Sequence, residues 1–138
     1  MDVPLILLIE DDALVRELLG SEFADAGFEV VSADDGDRAI AALEKGTSRF
    51  NAVITDIDLG DGPNGWDVGR RARELVPDMP IVYITGDRAH EWSAKGVPDS
   101  VVIAKPFVPM QVSTAISTLI TVADTRRSRS AVTTAPME

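Results

Sequence analysis

The chain contains no cysteine. Disulfides, thiolate metal sites and cysteine nucleophiles are therefore excluded. Long apolar runs are also missing. The longest, Val3 to Ile9, spans seven residues and is interrupted by Pro4. That is far short of a membrane span. It is also too short for a secretory core segment, and an acidic residue precedes it where a basic one is needed. Basic residues are scarce, 13 against 23 acidic ones, for a net charge of −10 and a pI near 4.4. Such a chain is a poor nucleic-acid binder, because phosphate backbones reward clustered Lys and Arg. The excess acid is either solubilising surface or a cation site. What remains is ordinary: 138 residues and 45% hydrophobic content, enough for one domain with its own core.

The apolar pattern alternates between two types. Strand-length runs occur at Leu5–Ile9, Phe28–Ser32, Ala52–Thr55, Ile81–Thr85 and Val101–Ala104. Consecutive Ile and Val positions in them predict strands covered on both faces. Between them lie helical spacings. Val15, Leu19, Phe23 and Ala26 share one face after Asp12, and Val68, Ala72, Leu75 and Val76 share another. Val112, Ile116, Leu119 and Ile120 follow Pro109, a residue suited to a helix's first turn. Ala39, Ile40 and Leu43 predict a shorter helix ending at Gly46, and Arg88 to Lys95 the weakest one. Five strand–helix units predict an α/β fold, a doubly wound five-stranded parallel sheet of order 2-1-3-4-5. Residues 1–122 are expected to form this domain. Residues 123–138, with three arginines, two acids and almost no large apolar side chain, are expected to be a disordered tail.

In such a sheet, ligands bind at the carboxyl ends of the strands where strand order reverses. The first strand ends in Glu10-Asp11-Asp12, the third in Asp56-Ile57-Asp58, the fourth in Thr85-Gly86-Asp87 and the fifth in Lys105-Pro106. Carboxylates from the first and third strands converge, which is unfavourable unless a cation or proton intervenes. A hard cation such as Mg²⁺, which takes one or two carboxylates and a phosphate oxygen, fits this set. Lysine and threonine supply a point charge and a hydroxyl for a phosphoryl group. Asp56 is a competent nucleophile for phosphoryl transfer. Asp34, Asp35 and Asp37 are expected to cap the second helix, and Asp12 the first.

The segments LLIEDDALVRELL, NAVITDIDL, NGWDV, IVYITGD and IAKPF resemble, in order and spacing, the receiver domain of bacterial two-component response regulators. The resemblance covers residues 3 to 122 and implies a flavodoxin-like (βα)5 fold. It implies Asp56 as phosphoacceptor, with Glu10, Asp11 and Asp56 holding Mg²⁺ together with the backbone carbonyl of Asp58. Thr85 matches the switch hydroxyl. Lys105 matches the phosphoryl-binding lysine, and its bond to Pro106 is expected to be cis. The implied donor is a sensor histidine kinase or histidine phosphotransfer protein, and the implied location cytoplasmic. A downstream protein would read the face built from the fourth strand, fourth helix and fifth strand. The protein would then catalyse only its own phosphorylation and dephosphorylation, and Asp58 and Asp87 flank the phosphoryl pocket. With no effector domain evident, a stand-alone receiver is expected.

The sequence departs from the family in three places. Gly60 stands where a proline is usual, four positions after Asp56. The loop Gly60-Asp61-Gly62-Pro63-Asn64-Gly65 is about one residue longer than is usual in the family. Val102 replaces the aromatic partner of the switch threonine, leaving Tyr83, two before Thr85, as the nearest substitute. His90, the one histidine, lacks the helical context of a phospho-donor and is expected to be solvated. Trp92 is expected to pack against the core. Two other functions compete. AVITDIDLG also resembles the Asp-x-Asp strand end of haloacid-dehalogenase-type phosphohydrolases, but there that motif precedes the acidic pair, and this chain lacks room for a cap domain. A pseudo-receiver that binds partners without phosphorylation is the other alternative.

Overall fold

The computed structural model describes residues 3–46 and 49–133, with no side chains described from 130 onward. The chain runs β1 (Leu5–Ile9), α1 (Ala13–Asp25), β2 (Glu29–Ala33), α2 (Gly36–Gly46), β3 (Ala52–Asp56) and α3 (Gly65–Leu75). It continues through β4 (Ile81–Thr85), a 3-10 turn (Ala89–Glu91), α4 (Trp92–Lys95), β5 (Val101–Ala104) and α5 (Pro109–Thr133). The five strands form one parallel sheet of order β2-β1-β3-β4-β5. This is the topology expected from the sequence, and it puts the order reversal between β1 and β3.

Alternate residues of each central strand enter separate cores. Leu7, Ile9, Val53, Ile81 and Tyr83 face Ala39, Leu43, Trp66, Val68 and Ala72 of α2 and α3. Ile6, Leu8, Ala52, Ile54, Val82 and Ile84 face Leu19 and Phe23 of α1 and Val112 and Ile116 of α5. Burial on both faces is why β1, β3 and β4 read as unbroken apolar runs.

The ends of α1 show how the local sequence sets these boundaries. Asp12 caps the helix, its carboxylate accepting from the N–H groups of Leu14 at 2.9 Å and Val15 at 3.3 Å. Such a cap is worth about 1 kcal/mol. At the other end Gly27 adopts φ +92°. Its N–H donates to Ala24 O, and the Phe28 N–H donates to Phe23 O at 2.9 Å. The Phe28 and Phe23 rings meet edge to face at 6.0 Å. This is the Schellman closure with its hydrophobic clasp. It commits Phe28 to the helix end, so β2 begins at Glu29 rather than at Phe28 as the apolar pattern predicts.

The weak helical signal from Arg88 to Lys95 becomes the 3-10 turn and the four-residue α4. His90 is exposed there. Trp92 packs against the core, its indole N–H donating to Ser100 Oγ at 2.9 Å. Because α4 is short, Val101, Val102 and Ile103 of β5 stay half-buried.

The expected tail is where the sequence reading fails. Helix α5 does not stop near residue 122 but continues to Thr133. Its support is polar, so apolar periodicity could not reveal it. Arg127 forms a two-pronged pair with Asp78 at 2.7 and 3.0 Å, and Arg126 meets Asp99 at 3.4 Å. Residues 134–138 lie outside the described residues. No described helix is long and apolar enough to cross a membrane.

Candidate functional site

The four loops that leave the carboxyl ends of β1, β3, β4 and β5 bring the expected residues together. Glu10 follows β1 directly. Its N–H donates to Ala33 O at 3.1 Å, and its carbonyl accepts from Arg16 Nη1 at 2.7 Å. The main chain is thus held on both sides, and the Glu10 side chain is buried. Asp56 ends β3 and is also buried, whereas Asp11 is exposed. One carboxylate oxygen from each of Glu10, Asp11 and Asp56 lies within 4.8 Å of the others.

Lys105 enters from the far edge. Its N–H donates to Thr85 O at 2.8 Å, which fixes the main chain, and its bond to Pro106 is cis. Its ammonium lies 3.0 Å from Asp56 Oδ2 and 3.6 Å from Glu10 Oε1. Glu10 Oε1 has no hydrogen-bond partner. Burial opposes the charge on Lys105, but the Asp56 hydrogen bond and the two neighbouring carboxylates outweigh it and raise the lysine above its ordinary value. Glu10 has the opposite problem. Burial, then the hydrogen bond and negative charge of Asp56, push it up to about 8, although Lys105 pulls the other way. One cation therefore does not satisfy three carboxylates. A buried carboxylate oxygen that lacks a hydrogen bond, beside two further oxygen donors, suits a hard divalent cation.

Thr85 closes the site from β4. Its buried hydroxyl oxygen accepts from the N–H groups of Arg88 at 2.9 Å and Asp87 at 3.3 Å. Both contacts use acceptor capacity, so its single O–H remains available to donate. The Asp58 side chain is exposed and turns toward β4, where Oδ1 pairs with Arg88 Nε at 3.0 Å.

The long loop after Asp56 is shaped by Gly60 and Gly62, at φ +78° and +88°. It then enters α3 through an Asn64–Asp67 capping box. Gly65 has to be a glycine: a Cβ there would stand 2.2 Å from Asp56 O. Asp35 caps α2 through the Arg38 N–H at 2.8 Å, and Asp34 pairs with the Arg38 side chain. Neither joins the acidic cluster.

Tyr83 does not take the role of a gating aromatic in this arrangement. It is fully buried, its ring is 4.7 Å from that of Trp66, and its hydroxyl oxygen accepts from the Val97 N–H at 3.2 Å. Pointing to the same side of β4 as Thr85 places it in the core beneath the site, not at the surface. The sequence reading also missed Arg16 and Arg88. Arg16 reaches back six positions to the Glu10 carbonyl, whereas Arg88 meets Asp58 only once the fold joins the loops after β3 and β4.

Comparisons with known proteins agree with this fold. The response regulator receiver domain matches residues 6–117. The response regulator receiver protein CpdR of Brucella abortus is 35% identical over 104 residues, covering 74% of this chain and 84% of CpdR. FleR of Pseudomonas aeruginosa is 32% identical, but this chain spans only 21% of it. A response regulator receiver protein from Sinorhizobium medicae superposes with a TM-score of 0.85 at 43% identity, covering 88% of this chain and 98% of that one. The receiver domain of sensor histidine kinase PA1611 from Pseudomonas aeruginosa, solved with magnesium in its active-site cleft, shares the fold. Its TM-score is 0.73 at 21% identity, with 86% of this chain and 98% of that one covered. An order reversal lined by acids, with a lysine across from them, thus sits in a chain matched over most of its length. The chain belongs to the response regulator receiver domain family.

Proposed function

We propose that Asp56 accepts a phosphoryl group from a phosphorylated histidine of a partner kinase or phosphotransfer protein. The observation that carries this reading is the Lys105 ammonium 3.0 Å from Asp56 Oδ2, with Glu10 and Asp11 grouped on the same carboxylate. An Asp56 oxygen attacks phosphorus in line. The P–N bond breaks, and its electron pair stays on the imidazole nitrogen, which takes a proton from solvent. Glu10, Asp11, Asp56 and the Asp58 carbonyl would hold Mg²⁺. When bound, it neutralises charge building on the phosphoryl oxygens. Lys105 exchanges its carboxylate partner for a phosphoryl oxygen, and Thr85 donates its O–H to another. The added charge then shifts the face formed by β4, α4 and β5, which a downstream protein reads. The decisive experiment is a phosphotransfer profile against purified histidine kinases. Rapid transfer from one of them is expected, and failure with all of them together with failure to react with beryllofluoride would leave the pseudo-receiver reading.

The donor must reach Asp56 from above the strand ends. Leu14 and Leu18 of α1 are exposed there, with Val108 and Met110 beyond the Lys105-Pro106 bend. Their elements are joined by Ser113 Oγ donating to Glu22 at 2.8 Å. These apolar side chains fit a helical phospho-histidine donor. Leu18→Arg is expected to slow transfer from the cognate kinase about tenfold or more, the scale of an interface anchor. Transfer from a small phosphoryl donor should change far less, and equal loss with both donors would count against this docking face.

Metal binding gives a second test with a defined sign. Glu10 in the folded protein, at about 8, lies well above the ordinary glutamate value of 4.5. Metal-free protein therefore loses stability as pH rises through that window, as the buried carboxylate is forced to ionise. A cation offsets that cost and displaces the proton. The rise in Tm produced by Mg²⁺ should be larger at pH 8 than at pH 6. Glu10→Gln should raise the metal-free Tm and shrink the Mg²⁺ response.

A further inference from the structure

A cleft of about 250 Å³ lies at the opposite end of the sheet from Asp56, where the loops entering β4 and β5 meet α3 and α5. Its apolar lining includes Pro80, Leu119, Val122 and Ala123, the last three on one face of α5. Its charged lining is Arg73, Asp78, Asp99 and Arg126. Both acids already have arginine partners. Arg127 grips Asp78 at 2.7 and 3.0 Å, and Arg126 meets Asp99 at 3.4 Å. Arg73 has no carboxylate partner among the described residues. Its guanidinium donates only to backbone carbonyls, those of Met79 at 2.6 Å, Pro98 at 2.5 Å and Asp99 at 3.4 Å. These bonds use three of the five N–H groups an arginine carries and leave two. Burial holds the half-buried Arg73 below the ordinary arginine value. Tyr83, Asp99 and Asp78 do not offset this, and the positive charge of Arg126 adds to it. A half-buried cation with no counter-ion is costly.

We propose that this cleft binds a small organic carboxylate with an apolar body. The carboxylate accepts from the spare N–H groups of Arg73 and from Arg126, and the body lies against Leu119, Val122 and Ala123. A planar carboxylate matches the guanidinium fork and supplies the missing counter-ion. Arg126 is free to join it, because its pair with Asp99 is exposed on both sides and readily exchanged. The α5 face supplies contacts that an inorganic anion could not use. Size sets a further limit. The cleft falls below the roughly 300 Å³ at which drug-sized sites begin, so the ligand is a single ring or a short chain. Its walls come from α3, from the loops before β4 and β5, and from the last turns of α5. A ligand seated among them ties these elements together, and the α5 end gains most because exposed ion pairs hold it. The site uses no phosphoryl chemistry, so it stands or falls apart from the role given to Asp56.

The test titrates the full chain, with Mg²⁺ present, with three probes: benzoate, benzamide and acetate. Amide chemical shifts locate the binding. Benzoate should give saturable shifts centred on Ser100, Leu119 and Ala123. Benzamide, which keeps the ring and loses the charge, should bind about tenfold more weakly or worse. Acetate, which keeps the charge and loses the ring, should also be weaker by about tenfold. Arg73 ties two loops together, so the variants are placed at exposed positions instead. Arg126→Gln should weaken benzoate about threefold or more. Val122→Glu should abolish its binding, since a tethered carboxylate then takes the arginines, whereas Val122→Gln should stay within about threefold of wild type. Benzoate should raise the Tm of wild type and leave that of Val122→Glu unchanged. No saturable shift, shifts centred on Thr85 and Lys105, benzamide or acetate binding as tightly as benzoate, or equal binding by wild type and Val122→Glu would each overturn the proposal.

Discussion

Asp56→Asn is expected to abolish phosphoryl incorporation, from near one phosphoryl group per chain to none. The amide removes the nucleophilic carboxylate and one of the three acids in the cluster. The fold should survive. Asparagine has the same shape, and losing a negative charge beside Glu10 relieves the repulsion that helps push that residue up to about 8. A thermal melt no lower than wild type alongside zero labelling would identify a chemical loss, not a structural one. The measurement is acid-labile, base-labile radiolabel after exposure to a phosphorylated kinase or acetyl phosphate. Label retained on the variant would move the phosphoacceptor to another residue. Sustained release of phosphate from a generic monoester by wild type would instead favour the phosphohydrolase alternative.

Gly65→Ala should cause a clear loss of stability at the site. The added Cβ would stand 2.2 Å from Asp56 O and 2.8 Å from Ile57 Cα. Both are backbone atoms, so no side-chain rotation relieves the clash. The N-terminus of α3 must move, breaking the Gly65 N–H bond to Ile57 O, now 2.9 Å. Overpacking of this kind costs about 1–3 kcal/mol. The displaced Asp56 carbonyl also disturbs the carboxylate, so labelling should slow as well. Gly20→Ala is the control. Gly20 lies inside α1 with nothing within 4 Å of an added Cβ, and the change should raise stability by up to about 1 kcal/mol. Chemical denaturation of both variants checks the pair. A Gly65→Ala protein as stable as Gly20→Ala would show that the close approach of α3 to Asp56 is not needed.

The strand ends were legible because β1, β3 and β4 are buried on both faces and so announce themselves as apolar runs. Each run stops abruptly at a polar group: Glu10, Asp56 and Thr85. Alternating strands and helices leave few topologies, and the order reversal then names the edge where those groups meet. Asp12 was legible as a cap for a similar reason, since its partners are its immediate neighbours along the chain. Chain-local physics carries such features.

Features that depend on loops meeting in space were not legible. Tyr83 has the strand parity of Thr85, but only the packed Trp66 ring and the Val97 N–H show that it is locked in the core. The end of α5 was misread because its last turns rest on Arg126 and Arg127 pairing with Asp99 and Asp78, not on an apolar stripe. Arg88 reaches Asp58 across thirty positions of sequence. Ion pairs of this kind have no period along the chain, since their geometry exists only once the sheet has brought separate loops to one edge. Hydrophobic burial and backbone hydrogen bonding leave a repeating trace in the sequence and so give the architecture and the acidic site. The partners of individual charges leave none, and the tertiary structure alone decides them.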